Sequence, residues 1–309
     1  MAESSIRGGA RDAAGNRMST DDPLPSWREG QAKSAILTFV RSVCERGGSF
    51  VPESARVATF DNDGTLWCEK PLYVQADFVF RRLAQMAEED PARREEQPWK
   101  AVIEGDRAWL AGLTQHLPEL IRGVTEAYAG ITTEAFEQAV REFFASAKHP
   151  TLDVPYTQVG YRPMRELISM LQDHGFTVYI CSAGGRDFVR PVAEQLYGIA
   201  RQCVIGSATT LEYRDGQLYR TKGVEQPIDD GPGKPVHIWT RTGQTPLLAG
   251  GNADGDIAML ECARFGLLIR HDDADREFAY DTGAERALSE ARERGWTVVS
   301  IKNDFAAVF

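Results

Sequence analysis

Three short apolar runs, VATF, FTVYIC and PLLAGG, each break off into polar residues and glycine: DNDGT after Phe60, SAGG after Cys181 and NADGD after Gly251. Runs this short, with no polar alternation, suit strands buried on both faces. Between them the pattern turns helical, in RPMRELISMLQDHG with Pro163 near its start and Gly175 at its end, in RDFVRPVAEQLYG and in DIAMLECA. Further strands are expected at CVIGSA, FGLLIR and WTVVSIK, a short helix around VHIWTR, and a hairpin in LEYRDGQLYR turning at Asp215-Gly216. The alternation predicts an α/β fold: a mostly parallel, doubly wound (Rossmann-like) sheet covered on both faces. Such sheets bind ligands outside the carboxyl ends of their strands, where strand order reverses. The polar breaks fall at those ends.

One stretch departs from the alternation. LYVQADFVFRRLAQMAE, WKAVIEGDRAWLAGL, LPELIRGVTEAYAG and TEAFEQAVREFFAS all read as helices, and no convincing strand lies among them. The expected organisation is a Rossmann-like core at residues 31–71 and 150–309, with an all-helical cap at 72–149 inserted directly after the first polar break. A helix from about Ala32 places Ile36, Phe39, Val40 and Val43 on one face. Residues 1–30 are polar and rich in Gly, Ser and Asp, and are expected to form a disordered tail in which Met18 offers an alternative start.

Charge narrows the partners. The formal net charge of the 309-residue chain is −10, and no Lys/Arg-rich run stands out, so neither nucleic acid nor an anionic membrane is an expected partner. The five cysteines are scattered without a CxxC pair, which fits reduced thiols in a cytoplasmic protein. No signal-peptide core is apparent in the first residues.

Each polar break also has a bland reading. Asp-rich turns often end strands, a serine often caps a helix, DGD can cap DIAMLECA, and the lysine of GPGK can be solvated. Their coincidence is less bland: three buried strands end in a carboxylate pair, a hydroxyl with a glycine turn, and an acidic cluster, with Lys234 nearby.

In this order DNDGTL, CSAGG, GPGK and GNADGD resemble the four motifs of the haloacid-dehalogenase superfamily, and most of all its phosphoserine-phosphatase-like branch, whose helical cap also follows the first motif. The resemblance covers roughly residues 50–70 and 160–305. It implies a phosphomonoester hydrolase acting on a small phosphorylated metabolite through an aspartyl-phosphate intermediate. Asp61 would be the nucleophile and Asp63 the general acid and base. Mg²⁺ would be held by Asp61, the main-chain carbonyl of Asp63, Asn252 and Asp256, with Asp254 as a substitute for Asn252, which stands where many relatives have Asp. Ser182, Ala183 and Gly184 would hold phosphoryl oxygens. Lys234 would offset their charge, with Lys222 competing for that role. Arg186 and Glu69 are candidate substrate contacts, and Trp67, Lys70 and Arg107 could also face substrate. The five histidines are read as structural or surface residues. Transfer of the phosphoryl group to an alcohol, or a non-catalytic phosphate-binding module, are the alternatives.

Overall fold

The computed structural model describes residues 22–106, 108–109 and 116–309. A central sheet is built from β1 (Val57–Phe60), β2 (Thr177–Gly185), β3 (Val204–Ser207), β6 (Leu248–Gly251), β7 (Phe265–Asp272) and β9 (Thr297–Ser300). The lateral order is β3-β2-β1-β6-β7, with β9 parallel to β7 and the two-residue β8 (Ala279–Tyr280) antiparallel to the end of β7. All other pairings in this sheet are parallel. Strand order therefore reverses around β1, which pairs with β2 on one side and β6 on the other. The residues after Phe60, Ile180 and Gly250, which share one register, open at that switch point.

Neighbouring residues of one strand point to opposite faces, and both faces are covered. Val178, Ile180, Leu248 and Leu267 join one apolar cluster, with Ile36, Leu167 and Val192 from helices α1 (Gln31–Cys44), α6 (Arg162–Asp173) and α7 (Arg186–Tyr197). Cys181, Ala249 and Leu268 join a second, with Ile238, Leu260 and Ala287 from α8 (Gly233–Thr242), α9 (Ile257–Cys262) and α10 (Glu285–Arg294). This is the doubly wound arrangement expected from the alternating sequence.

Helices α2 (Val74–Glu89), α3 (Trp99–Glu104), α4 (Leu117–Ala127) and α5 (Thr133–Ser146) follow β1 before the chain returns to the sheet. The second of these expected segments begins as expected, but α3 stops at Glu104. Gly105, at φ 63°, takes the left-handed conformation that ends a helix. Phe78 of α2 stacks on Tyr128 with ring centroids 4.8 Å apart and lies 5.2 Å from Phe188 of α7, so this helical segment packs directly on the sheet's own covering helix.

One feature differs from expectation. The tail reading fails for residues 22–30: Leu24 and Trp27 are fully buried, Trp27 Nε1 donates to the Pro163 carbonyl, and Ser26 donates to Glu166 of α6 through both its main-chain N–H and its hydroxyl. Two apolar anchors suffice to seat a segment whose average composition is polar. The hairpin of β4 (Thr209–Arg214) and β5 (Gln217–Val224) turns at Asp215 and Gly216, both at positive φ, as the Asp-Gly pair predicts. It forms a two-stranded sheet of its own. The main chain of Arg220 exchanges hydrogen bonds with Gly130 and Ile131 between α4 and α5, so the hairpin extends the helical segment. No helix among the described residues is long and apolar enough to cross a membrane.

Candidate active site

The first polar break winds into a tight loop. The Asn62 carbonyl accepts from the N–H groups of Thr65, Leu66 and Trp67, and Gly64 N–H donates back to the Trp67 carbonyl at 2.9 Å. Gly64 sits at φ 73°, and a Cβ there would lie 2.1 Å from Asn252 Nδ2. Only glycine admits both the conformation and the approach. Thr65 Oγ1 then donates to Asn252 Oδ1 at 3.0 Å, which sets which end of that amide faces the loop. The ends of β1 and β6 are thus fastened to each other through side chains.

At the centre is a buried charge cluster. Lys234 Nζ donates to Asp61 Oδ1 and Asp256 Oδ1, both at 2.6 Å, and to the Cys181 carbonyl at 3.0 Å. Lys234 is 1% exposed and Asp256 2%. Burial disfavours the ammonium, but Asp256 and Asp61 outweigh it and hold the Lys234 pKa well above the ordinary lysine range. Burial, with help from Asp256 and against the pull of Lys234, pushes the Asp61 carboxyl upward. These two tendencies compete for one proton; with the nitrogen within 2.6 Å of both carboxylates and bonded to a carbonyl as well, it rests on Lys234. Asp61 Oδ2 has no hydrogen-bond partner among the described residues.

Asp63 lies beside this cluster. Trp67 Nε1 donates to its Oδ1 at 2.8 Å, and a Cβ added to Gly184 would lie 3.7 Å from its Oδ2. The residue as a whole is half-buried, but its carboxyl end is packed among protein atoms. Burial, reinforced by the nearby Glu69 charge and opposed by the Trp67 hydrogen bond, pushes its pKa up to about 6. A carboxyl so placed can both give and take a proton near neutrality. On the far side, Ser182 Oγ accepts from the Gly184 N–H at 3.1 Å, and Gln75 Oε1 of α2 accepts from the Gly185 N–H at 2.6 Å.

Asp61, Asp63, Ser182, Gly184, Lys234, Asn252 and Asp256 therefore converge where the sequence places them, and Ala183 lies within the same loop. Lys222 does not: it is exposed on β5, 3.6 Å from Glu126. Arg186 is engaged with Asp187 and Glu225, each at 3.3 Å, and is not free for an anion. Glu69 is buried next to Gly64 and accepts from the Tyr280 hydroxyl at 2.6 Å. Lys70 packs its ammonium over the Tyr280 ring. Arg107 lies outside the described residues. Asp256 Oδ1 receives Lys234 and its Oδ2 receives the N–H groups of Asn252 and Ala253, so it orients the lysine. Asp254 caps α10 by accepting from the Ala287 N–H at 2.8 Å. Among the described residues no three His, Cys, Asp or Glu side chains gather as a metal site. The oxygens that remain are those of Asp61, the Asp63 carbonyl and Asn252 Oδ1, a hard all-oxygen set that fits Mg²⁺ with water completing its shell.

Three contributors carried little sequence signal. Gln75 reaches the glycine turn from another element. Trp67 fixes Asp63. His271, at the end of β7, donates from Nε2 to the Gly64 carbonyl at 2.8 Å while Nδ1 faces the buried Glu277 at 3.0 Å, bracing the loop that carries both aspartates.

The model of haloacid dehalogenase-like hydrolases matches residues 58–261, about two thirds of the chain. The chain belongs to this family. Among solved structures, a functionally unknown protein from Anaerococcus prevotii is similar with a TM-score of 0.60 at 16% identity, covering 93% of this chain and 98% of that one. A protein of unknown function from Bordetella pertussis is similar with a TM-score of 0.51 at 18% identity, covering 79% and 98%. A phosphoserine phosphohydrolase-like protein from Francisella tularensis gives a TM-score of 0.44 at 17% identity over 79% of this chain and 94% of that one. No curated protein gives a match to this sequence. For the first two, at these identities, the likeness is one of fold.

Proposed function

We propose that this hydrolase cleaves phosphate monoesters of small molecules through an aspartyl-phosphate on Asp61, with Mg²⁺ as cofactor and residues 72–149 as the cap over the site. The observation that carries the reading is the Lys234 ammonium clamped between Asp61 and Asp256 at the switch point, with a second, protonatable carboxylate two residues from the first.

In the first half-reaction the Asp61 carboxylate attacks phosphorus and the bond to the leaving oxygen breaks, while Asp63 gives that oxygen its proton. In the second, Asp63 takes a proton from water as the water oxygen attacks phosphorus, and the bond to Asp61 breaks to restore its carboxylate. The Ser182 hydroxyl and the Ala183 N–H receive phosphoryl oxygens, and Lys234 balances their charge. Mg²⁺, held by Asp61, the Asp63 carbonyl and Asn252, would supply the remaining positive charge. Phosphoserine phosphatases, to which the motifs bear most resemblance, are metabolite phosphatases, which supports a small substrate.

The test is phosphate release from p-nitrophenyl phosphate by the wild type with Mg²⁺, with chelator, and by Asp61→Asn. Release that requires both metal and Asp61 is expected. A variant that keeps most of the rate would remove Asp61 from the role of nucleophile.

A further inference from the structure

We infer that the leaving group of the substrate is apolar: the enzyme is built for the phosphate monoester of a hydrophobic alcohol or phenol, not of an amino acid or sugar. This deepens the hydrolase reading and rests on it.

The inference starts from a cavity of about 290 Å³ that adjoins the glycine turn. One wall is Ala183, Gly184 and Gly185; the others come from α2, α4, α5, β5 and the β3–β4 corner, with Val79, Leu83, Val124 and Phe136 among them. Gly184 ties the cavity to the chemistry, since it lines the cavity and its Cβ position is 3.7 Å from Asp63 Oδ2. In the proposed reaction Asp63 protonates the leaving oxygen, so the rest of the leaving group extends from beside Asp63, where Gly184 borders the cavity.

Most of its polar lining groups are already committed to the protein. Gln75 Oε1 is bonded to the Gly185 N–H, and the Thr125 hydroxyl to the Arg122 carbonyl. Ser207 Oγ accepts from the Asp229 N–H. Asp187 binds Arg220 at 3.2 Å, Arg190 at 3.1 Å and Arg186 at 3.3 Å, and Arg220 also lies 3.8 Å over the Phe136 ring. Thr209 Oγ1 and Arg220 Nε lack a partner and are fully buried. Among the described lining residues, then, the charges are paired with one another, and the polar atoms left over are few, Arg220 Nε and Thr209 Oγ1 among them, against walls that are otherwise apolar. A charged or polyhydroxylated leaving group would lose most of its hydration for few new partners. An apolar one gains from burial, and the volume accepts about ten water-sized groups.

The test is a series of n-alkyl phosphates from ethyl to dodecyl, below their micelle concentrations, alongside phosphoserine, glucose 6-phosphate and p-nitrophenyl phosphate, all with Mg²⁺. In parallel, 1-octanol is titrated against thermal stability. Expected is a rise in kcat/KM of about fourfold per methylene up to octyl, no further gain at dodecyl, and a stabilising shift with 1-octanol. Ala76→Phe and Val124→Phe, each confirmed folded by circular dichroism, should lower the octyl-to-ethyl ratio of kcat/KM at least tenfold and abolish the 1-octanol shift. A flat alkyl series, or phosphoserine or glucose 6-phosphate cleaved as well as octyl phosphate, overturns the inference. So does the absence of any 1-octanol shift. Failure of every ester, p-nitrophenyl phosphate included, while 1-octanol still stabilises the wild type and not the filled variants, would instead overturn the hydrolase reading and leave the apolar site standing.

Discussion

Lys234 donates to Asp256 Oδ1 at 2.6 Å, and the other oxygen of that carboxylate accepts from the main-chain N–H groups of Asn252 and Ala253. The carboxylate links the end of β6 to a lysine in the first turn of α8. A cation there opposes the helix dipole, and the turn tolerates it because two carboxylates compensate the charge. Asp256→Asn keeps the shape but cannot satisfy all three donors, since its amide nitrogen must face one of them. The expected outcome is a stability loss of about 3–5 kcal/mol by chemical denaturation, and a kcat lowered on the order of 100-fold in the folded fraction. A fully active, equally stable variant would refute the positioning role.

Gly64 tests the same arrangement from the other side. Alanine there must adopt φ 73° and bring its Cβ to 2.1 Å from Asn252 Nδ2, so either the loop or the amide moves. The conformation alone costs about 1–2 kcal/mol. Displacing Asn252 should also raise the Mg²⁺ concentration needed for half-maximal activity. Loss of stability with an unchanged Mg²⁺ requirement would separate Asn252 from the metal.

Asn252→Asp should act in the opposite direction. The new carboxylate can still accept from Thr65 Oγ1, and it adds a negative charge beside Asp61. Apparent Mg²⁺ affinity in an activity titration is expected to tighten on the order of tenfold. In chelator the extra charge meets Asp61 and Asp256 with only Lys234 between them, so the melting temperature should fall. If neither quantity changes, Asn252 does not face the metal.

The parallel sheet and its polar strand ends were legible because buried parallel strands are written as unbroken apolar runs, and because DNDGT and NADGD stop them abruptly. Preferring Lys234 over Lys222 from its GPGK context agrees with the geometry. What escaped depends on partners distant in sequence. Gln75 is one polar residue on a helix, and nothing local marks it as a cap for a turn 110 residues away. The oxygens of Asp256 are consumed by a folded strand end that the motif does not spell out. Helix α10, ERALSEARER, buries only Ala287 and Ala291, leaving no apolar stripe to read. Leu24 and Trp27 were hidden by the polar residues around them.

Asp229 makes a prediction about pH. It is fully buried between β5 and α8, and its carboxyl faces the Cys181 thiol, with Sγ 3.4 Å from Oδ2. Burial pushes its pKa up to about 6, against the pull of Lys234. A carboxyl whose folded pKa is raised favours the fold in its protonated form. Its contribution is complete below the unfolded value, near 3.9, and is lost as pH climbs through about 6. Asp229→Asn removes this dependence and spares the folded protein a buried charge at neutral pH. The variant should therefore be more stable than the wild type at pH 7.5, by at most about 3 kcal/mol. The advantage should shrink steadily as pH falls from 6 towards 4. Denaturant unfolding of both proteins across pH 4–8 measures it. An advantage that stays constant over that range would mean that Asp229 does not titrate there, and one that grows towards acid would reverse the sign argued from its burial.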